Sequence, residues 1–229
     1  MVELINTRVP GLDAALGGGV PRPGMTLITG YPGTGKTTLS AQILANRAVQ
    51  DGEKGAYFSA VEPSKLLMAQ LSLFDFAFTK AVDEGLISIK EAVTTTDDES
   101  VEIIGEQLES LSSQECRNIV FDSISALLTF TSAKHARALL SLLSRYSSEH
   151  EVALIVIGEL PLFSTSNMSL GFEEFVSDVV IKLDFVERGH RLTSRMSVIK
   201  NRFAENSRAI YEVAVTRRGF EVLGPIRSA

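Results

Sequence analysis

A glycine-rich octapeptide near the start of the chain constrains the fold most strongly. "GYPGTGKT", Gly30 to Thr37, fits the pattern G-x-x-x-x-G-K-S/T. The apolar run Met25–Gly30 before it predicts a buried strand, and Lys36–Gln50 after it predicts a helix with Leu39, Ile43 and Leu44 facing inward. Glycines at such a turn let backbone N–H groups surround phosphate oxygens, and the helix N-terminus faces the same anion. The sequence therefore predicts a phosphate-binding loop in an α/β fold.

The side chains of this loop indicate the ligand. Lys36 is placed to reach the β- and γ-phosphates of a nucleotide, and Thr37 is placed to ligate Mg²⁺. The other predicted nucleotide contacts are Gly30, Tyr31, Pro32, Gly33, Thr34, Gly35 and Thr38. The expected ligands are ATP or ADP together with Mg²⁺.

A second strand supplies a carboxylate for the metal. "NIVFD", Asn118 to Asp122, is an apolar run that ends in an aspartate. Taken alone, such a run is common and carries no function. After a phosphate-binding loop at this distance, Asp122 is predicted to lie beside the water shell of Mg²⁺.

Alternating apolar runs and amphipathic stretches define the architecture. Strands are predicted at Met25–Gly30, Gly55–Val61, Asn118–Asp122 and Val152–Gly158. Helical stretches separate them, and one of these is predicted over Ser64–Phe76. From Val179 onward the pattern changes to strands separated by short turns. We expect a mostly parallel sheet flanked by helices that ends in an antiparallel meander. With 229 residues, of which 45% are hydrophobic, a single domain spanning 1–229 is predicted.

Composition limits the location and the partners. No basic stretch followed by an apolar one opens the chain, and the longest apolar run, Val152–Ile157, is too short to cross a bilayer. Cys116 is the only cysteine, which rules out an internal disulfide. These features predict a cytoplasmic protein without membrane insertion. The formal net charge of −6 gives no indication of a strongly basic surface for nucleic acid.

Three segments together resemble a known family. They are "GLDAALGGGVPRPGMTLITGYPGTGKTT", "EFVSDVVIKLDFVE" and "VIKNRFAENSRAIYEV". These resemble the RecA superfamily, in particular its KaiC-like and RadA-like branch, and the resemblance covers roughly Leu4 to Gly224. It implies a RecA-like core that binds ATP and a reaction that hydrolyses ATP to ADP and phosphate.

The resemblance also implies sites shared between subunits. Lys200 and Arg202, two residues apart near a predicted strand end, match the family's K-x-R segment, which reaches the γ-phosphate held by a neighbouring subunit. Arg208 falls near another interface cation. The implied assembly is a head-to-tail homo-oligomer, either a hexameric ring or a filament. The alternative interpretation of Lys200 and Arg202 is a solvated basic turn with no role at a neighbouring site.

The catalytic base is where the chain departs from the family pattern. In similar proteins the strand after the first helix ends in two glutamates that polarise the attacking water. Aligned on Gly55, these positions are Val61 and Glu62. Glu62 is therefore the candidate catalytic carboxylate, while valine cannot accept a proton. A one-residue shift of the strand end, enforced by Pro63, is the alternative, and an ordinary exposed glutamate before a helix is another.

Three functions remain open from sequence. The first is a slow, Mg²⁺-dependent ATPase with shared sites. The second is an ATP-binding regulatory switch with little turnover, in which ATP drives oligomerisation or the docking of a protein partner. Val61 favours this function. The third is a recombination accessory protein that binds single-stranded DNA. The third is not favoured, because no Lys or Arg occurs between Tyr146 and Ile181, and that stretch includes the polar loop Pro161–Gly171 where similar recombinases contact DNA.

Overall fold

The computed structural model describes residues 1–92, 99–129, 133–160, 174, 176–205 and 207–226. The strands are β1 (Glu3–Ile5), β2 (Val20–Arg22), β3 (Gly24–Gly30), β4 (Gly55–Ser59), β5 (Ile87–Glu91), β6 (Asn118–Asp122), β7 (Ala153–Glu159), β8 (Val179–Arg188), β9 (Arg191–Asn201), β10 (Ile210–Thr216) and β11 (Gly219–Pro225). The helices are α1 (Leu12–Leu16), α2 (Lys36–Asp51), α3 (Ser64–Leu71), α4 (Phe78–Asp83), α5 (Glu99–Ser112), α6 (Ile124–Thr129) and α7 (Ala133–His150).

The strands form a nine-stranded sheet in the order β11-β10-β9-β8-β3-β7-β6-β4-β5, with β1 and β2 pairing separately. Strands β8, β3, β7, β6, β4 and β5 run parallel to one another. Strands β8 to β11 then pair antiparallel as a meander. The predicted fold class, a mostly parallel α/β sheet with an antiparallel C-terminal meander, is confirmed.

Apolar side chains cover both faces of the central strands. On one face α2 buries Leu39, Ile43 and Leu44, as the helical periodicity predicts. On the other face α5 and α7 bury side chains that include Ile104 and Leu140. Because the central strands are buried on both faces, they are continuous apolar runs rather than alternating ones.

Ser64–Phe76, expected to form one helix, does not do so. Helix α3 ends at Leu71, and a new helix begins at Phe78. Between them Phe74 and Phe76 stack with ring centroids 5.2 Å apart, and Phe76 is buried against the core. Aromatic burial and a backbone hydrogen bond from Asp75 to the β10–β11 turn override local helix propensity here.

Parallel strands bring their carboxyl ends to one edge of the sheet. In register, Gly30 of β3 lies opposite Glu159 of β7, and Ser59 of β4 lies opposite Asp122 of β6. This edge is where open α/β sheets bind ligands. No helix of the described residues is long and apolar enough to cross a membrane.

The opposite edge is held by a cluster of charges around Glu53. Its carboxylate accepts hydrogen bonds from Arg22, Arg47 and Asn118, and the Arg22 contact is 2.7 Å. Although burial acts to raise it, these hydrogen bonds lower the pKa of Glu53 to about 2. The cluster ties the start of the sheet to the end of α2.

Candidate nucleotide-binding site

The loop between β3 and α2 needs glycine at several positions. Gly33 and Gly35 have φ angles of 80° and 92°, which favour glycine over residues with a side chain. A Cβ on Gly30 would collide with the carbonyl oxygen of Leu183 on the neighbouring strand. No atom lies within 4 Å of a Cβ built on Gly33, so the loop is open on that side. A loop whose backbone is unobstructed by side chains fits a phosphate cradle.

The remaining loop residues support this shape. The Thr34 hydroxyl donates a 2.7 Å hydrogen bond to the Tyr31 carbonyl and is buried, whereas Pro32 is exposed. Thr38 lies in the first turn of α2, next to Thr37. The predicted nucleotide contacts from Gly30 to Thr38 thus form one continuous loop and helix start.

Lys36 lies buried over this loop. Its Nζ donates to the carbonyl oxygens of Gly30 and Tyr31, both at 3.0 Å. Burial lowers the pKa of Lys36, and the nearby carboxylates of Glu159 and Asp122 oppose that shift. A phosphate bound at the loop would therefore contact the Lys36 ammonium group, which is already desolvated.

Thr37 and Tyr57 share one acceptor, the carboxylate of Asp122. The hydroxyls of Thr37 and Tyr57 each donate to Asp122 Oδ2 at 2.6 Å. Tyr57 is fully buried, and burial together with Asp122 raises its pKa well above the usual range, so it stays a donor. Hydroxyl and carboxylate oxygens are the ligands that Mg²⁺ prefers, so the pair Thr37 and Asp122 fits that ion.

The sequence pattern does not identify Tyr57 as a residue of this site. It sits in the apolar run of β4 and is easily taken for a core residue. The only feature that distinguishes Tyr57 from an ordinary core residue is its hydroxyl group, in a strand that pairs with β6.

Glu62 follows β4 and lies close to these groups. Its carboxylate accepts a 2.6 Å hydrogen bond from Gln70 Nε2 on α3, while its backbone carbonyl accepts one from the Ser59 hydroxyl. Val61 points outward, with 68% of its surface exposed. Pro63 is the N-cap residue of α3. Nothing in the sequence marks Gln70 as the partner that holds Glu62.

A cavity of about 200 Å³ joins the functional side chains. It is lined by Thr37, Ser59, Val61, Glu62, Leu67, Gln70, Asp122 and Glu159. Glu159 ends β7, and its backbone N–H donates to the Ser125 hydroxyl at 2.9 Å. The fold therefore brings the predicted metal and catalytic residues Thr37, Asp122 and Glu62 to one cavity beside the phosphate loop.

Lys200 and Arg202 lie elsewhere. Lys200 Nζ donates to the carbonyls of Glu174 and Ser177, at 3.2 and 2.5 Å, and Arg202 pairs with Asp178 at 3.1 Å. Asp178 in turn accepts a hydrogen bond from the N–H of Met25, near the start of β3.

The phosphate loop follows the other end of the same strand, about 16 Å away at 3.3 Å per residue. Arg208 is exposed in the segment between β9 and β10. Within one chain these cations do not reach the cavity.

Comparisons with known proteins agree with this geometry. The family model described as "ATPase: KaiC" matches residues 5–226. A UPF0273 protein of Methanopyrus kandleri is 26% identical over 96% of this chain and 92% of its own length. The circadian clock oscillator protein KaiC of Synechococcus elongatus is 27% identical over 99% of this chain, which spans only 46% of that protein.

A solved structure extends the comparison to the fold. The crystal structure of a KaiC-like protein from the hyperthermophilic archaeon Pyrococcus horikoshii superposes with a TM-score of 0.84, at 27% identity, over 97% of this chain and 99% of that one. The resemblance drawn from the sequence is confirmed, and with it a RecA-type ATP-binding fold. The chain belongs to the KaiC ATPase family.

Proposed function

We propose that this protein is a slow, Mg²⁺-dependent ATPase that works as a homo-oligomer with nucleotide sites shared between adjacent copies. The observation that carries the proposal is the double hydrogen bond to Asp122. It places Thr37, at the start of the phosphate-loop helix, against the strand-end carboxylate at the rim of the cavity.

The chain's own groups bind the nucleotide as follows. Backbone N–H groups of the loop and the N-terminus of α2 attract the phosphates, and Lys36 leaves the Gly30 and Tyr31 carbonyls to pair with them. Mg²⁺, when bound, neutralises charge on the β- and γ-phosphates. Thr37 and Asp122 are the residues that would hold it, directly or through water.

Hydrolysis requires a group that orients water at the cavity. Glu62 is the carboxylate at the expected second position, and Gln70 fixes its orientation. Val61 occupies the first position and cannot accept a proton. Because general-base catalysis contributes about 10²–10⁴-fold, we infer that turnover is slow compared with an enzyme that has both carboxylates.

The remaining positive charge is proposed to come from the next copy. Lys200 and Arg202 lie at the far end of the sheet, so a head-to-tail arrangement is needed for them to reach a phosphate. Cations at that place in related reactions contribute about 10³–10⁵-fold to the rate. Arg208 is proposed as a further interface cation.

A second candidate function is an ATP-dependent switch that controls assembly or a protein partner with little turnover. Val61 is the specific observation in its favour. The DNA-binding alternative depends on residues 161–171, which lie outside the described part of the chain, and it is not favoured.

Phosphate release by the purified protein separates the two favoured functions. Turnover that depends on Mg²⁺ and disappears in Lys36→Ala supports the ATPase. Binding of ATP by calorimetry, with phosphate release equal to that of Lys36→Ala, supports the switch. Light scattering coupled to size exclusion, with and without ATP and Mg²⁺, tests assembly on the same samples.

A further inference from the structure

A second cavity, of about 510 Å³, lies at the edge of the sheet where β4 and β6 begin. Its lining includes Lys54, immediately before β4, and Arg117, immediately before β6. Asp122 and the nucleotide cavity lie at the other end of β6, about 16 Å away at 3.3 Å per residue. Sites for small molecules typically have volumes of about 300–1,000 Å³. The cavity is therefore separate from the nucleotide site and large enough for a small molecule.

Two cations lie side by side at this edge. Gly55 of β4 pairs with Asn118 of β6, so the residues before them, Lys54 and Arg117, lie opposite each other. The Arg117 N–H donates to the Lys54 carbonyl at 2.9 Å, which fixes the spacing of the two backbones. Two like charges held close together repel each other. An anion bound between the two side chains would offset that repulsion.

Both cations keep donors for such an anion. Arg117 contacts Glu151 through Nη1 at 3.4 Å, and because the two side chains are 46% and 68% exposed, this ion pair is weak. Within the described residues, Nη2 and Nε of Arg117 make no hydrogen bond, and Lys54 has no ion-pair partner. A guanidinium with N–H groups available on one side matches two oxygens of a carboxylate or phosphate.

The carboxylates of the lining do not cancel this charge. Glu53 already pairs with Arg22 and Arg47, both at 2.7 Å. Glu115, on the turn after α5, is exposed and forms no ion pair with another described residue. Glu115 is therefore the lining carboxylate that would oppose an anion, against two cations that would attract it.

Cys116 and His150 complete the lining. Cys116 is buried, and burial raises the pKa of its thiol to about 11, so the neutral thiol is a largely apolar wall. The His150 imidazole stacks on Tyr146 with ring centroids 4.3 Å apart, which fixes the ring beside the cavity. A ligand that fits has an oxyanion group for the two cations and a short, mainly neutral body.

We propose that this cavity is a second ligand site, which binds a small organic anion through a phosphate or carboxylate group held by Lys54 and Arg117. The proposed site goes beyond ATP binding and hydrolysis and depends on neither.

Cys116 gives a readout confined to this cavity, because it is the only cysteine of the chain. Mass spectrometry follows its modification by methyl methanethiosulfonate in the presence of glycerol 3-phosphate, succinate or glycerol, at constant ionic strength. At about 10 mM probe, even a site with a Kd of about 1 mM would slow the modification about tenfold. We expect this protection from at least one of the two anions and none from glycerol. The anion that protects identifies the preferred head group.

Lys54→Gln/Arg117→Gln removes the two cations. Lys80→Gln/Arg218→Gln is the matched control, with the same loss of charge on α4 and on the β10–β11 turn. In each protein the rate with the probe is divided by the rate without it, so that a change in the intrinsic reactivity of the thiol cancels. Protection should be lost in the test variant and retained in the control. It should occur at lower probe concentration in Glu115→Gln, which loses the opposing carboxylate.

Equal modification rates with and without both anions would overturn the proposal. Lys54 and Arg117 would then serve to compensate the C-terminal ends of α2 and α7, which lie at the same edge. Protection that persists in Lys54→Gln/Arg117→Gln would overturn it as well, because the anion would be acting elsewhere.

Lys36→Ala distinguishes this site from the proposed function. Protection that is unchanged in Lys36→Ala supports a site separate from the phosphate loop, whereas protection lost in that variant assigns the probe to the loop and overturns the proposal. Wild type that shows protection but binds no ATP by calorimetry contradicts the proposed function alone. Wild type that binds ATP and shows no protection contradicts the second site alone.

Discussion

The buried hydroxyl of Tyr57 lies 2.6 Å from the carboxylate of Asp122, on the oxygen that also accepts the hydroxyl of Thr37. One strand of the sheet thus fixes the orientation of a carboxylate on the next. Partners of this kind, which hold a metal ligand without touching the metal, typically change metal affinity 10–100-fold when removed.

Tyr57→Phe is predicted to weaken the affinity for Mg²⁺ without unfolding the protein. The ring keeps its edge contact with Phe78, whereas the Asp122 carboxylate loses one of its two hydroxyl donors and keeps only Thr37. We expect about tenfold more Mg²⁺ for half-maximal ATP binding. Because the lost hydrogen bond is donated to a carboxylate, we also expect a loss of about 1.5–3 kcal/mol in the free energy of unfolding. Tyr211→Phe is the control, because that hydroxyl bonds to Ser207 away from the cavity. An unchanged Mg²⁺ titration in Tyr57→Phe contradicts the assigned role.

Val61→Glu is predicted to raise ATP turnover at least tenfold, because it places a proton acceptor at the cavity rim. Val61→Gln is the matched control, with a similar size and no basic carboxylate. Steady-state phosphate release is compared at protein concentrations where light scattering gives the same assembly for all variants. Equal rates for the two variants would mean that position 61 does not limit hydrolysis.

Glu159→Gln is predicted to shift the pH dependence of nucleotide binding. Burial already lowers the pKa of Lys36, and the Glu159 carboxylate opposes that shift. Removing the carboxylate lowers the Lys36 pKa further, so Lys36 loses its proton at a lower pH. The alkaline decline in ATP affinity should therefore begin at lower pH in Glu159→Gln than in wild type. Fluorescent-nucleotide titrations between about pH 7 and pH 10 measure this. The exposed Glu84→Gln should leave the decline where it is, and a decline that does not move in Glu159→Gln removes Glu159 from the site.

Stability below neutral pH is predicted to depend on Glu53. Its pKa in the folded chain is about 2, below its ordinary value of 4.5. A lowered pKa contributes stability that is complete above the unfolded-state value and lost as pH falls towards the folded-state value. Glu53→Gln should cost about 1–3 kcal/mol at pH 7 and lessen the loss of stability between about pH 5 and pH 2. Urea unfolding at several pH values tests this, and equal slopes in both proteins would contradict it.

The phosphate loop could be predicted from sequence because its determinants are local. Glycine spacing, Lys36 and Thr37 lie within eight consecutive residues, and the flanking strand and helix follow from apolar periodicity. Asp122 could also be predicted from sequence, because it ends a clear apolar strand.

Other parts of the site depend on strand order, which periodicity does not specify. Glu159 lies beside Gly30 only because β7 pairs with β3, and Tyr57 reaches Asp122 only because β4 pairs with β6. The break after Leu71 is not predictable from local sequence for a related reason. Burial of Phe76 against residues far along the chain decides it.

The shared site is tested most directly by mixing two variants that are each inactive for a different reason. Lys36→Ala has a defective phosphate loop and intact cations, whereas Lys200→Ala/Arg202→Ala has the reverse. If the cations act on the neighbouring copy, random mixing pairs intact halves at about a quarter of the sites. The predicted result is recovery of about a quarter of the wild-type ATP turnover in the equimolar mixture. Turnover no greater than the average of the two separate variants, in a mixture that light scattering shows to be assembled, would contradict the shared site.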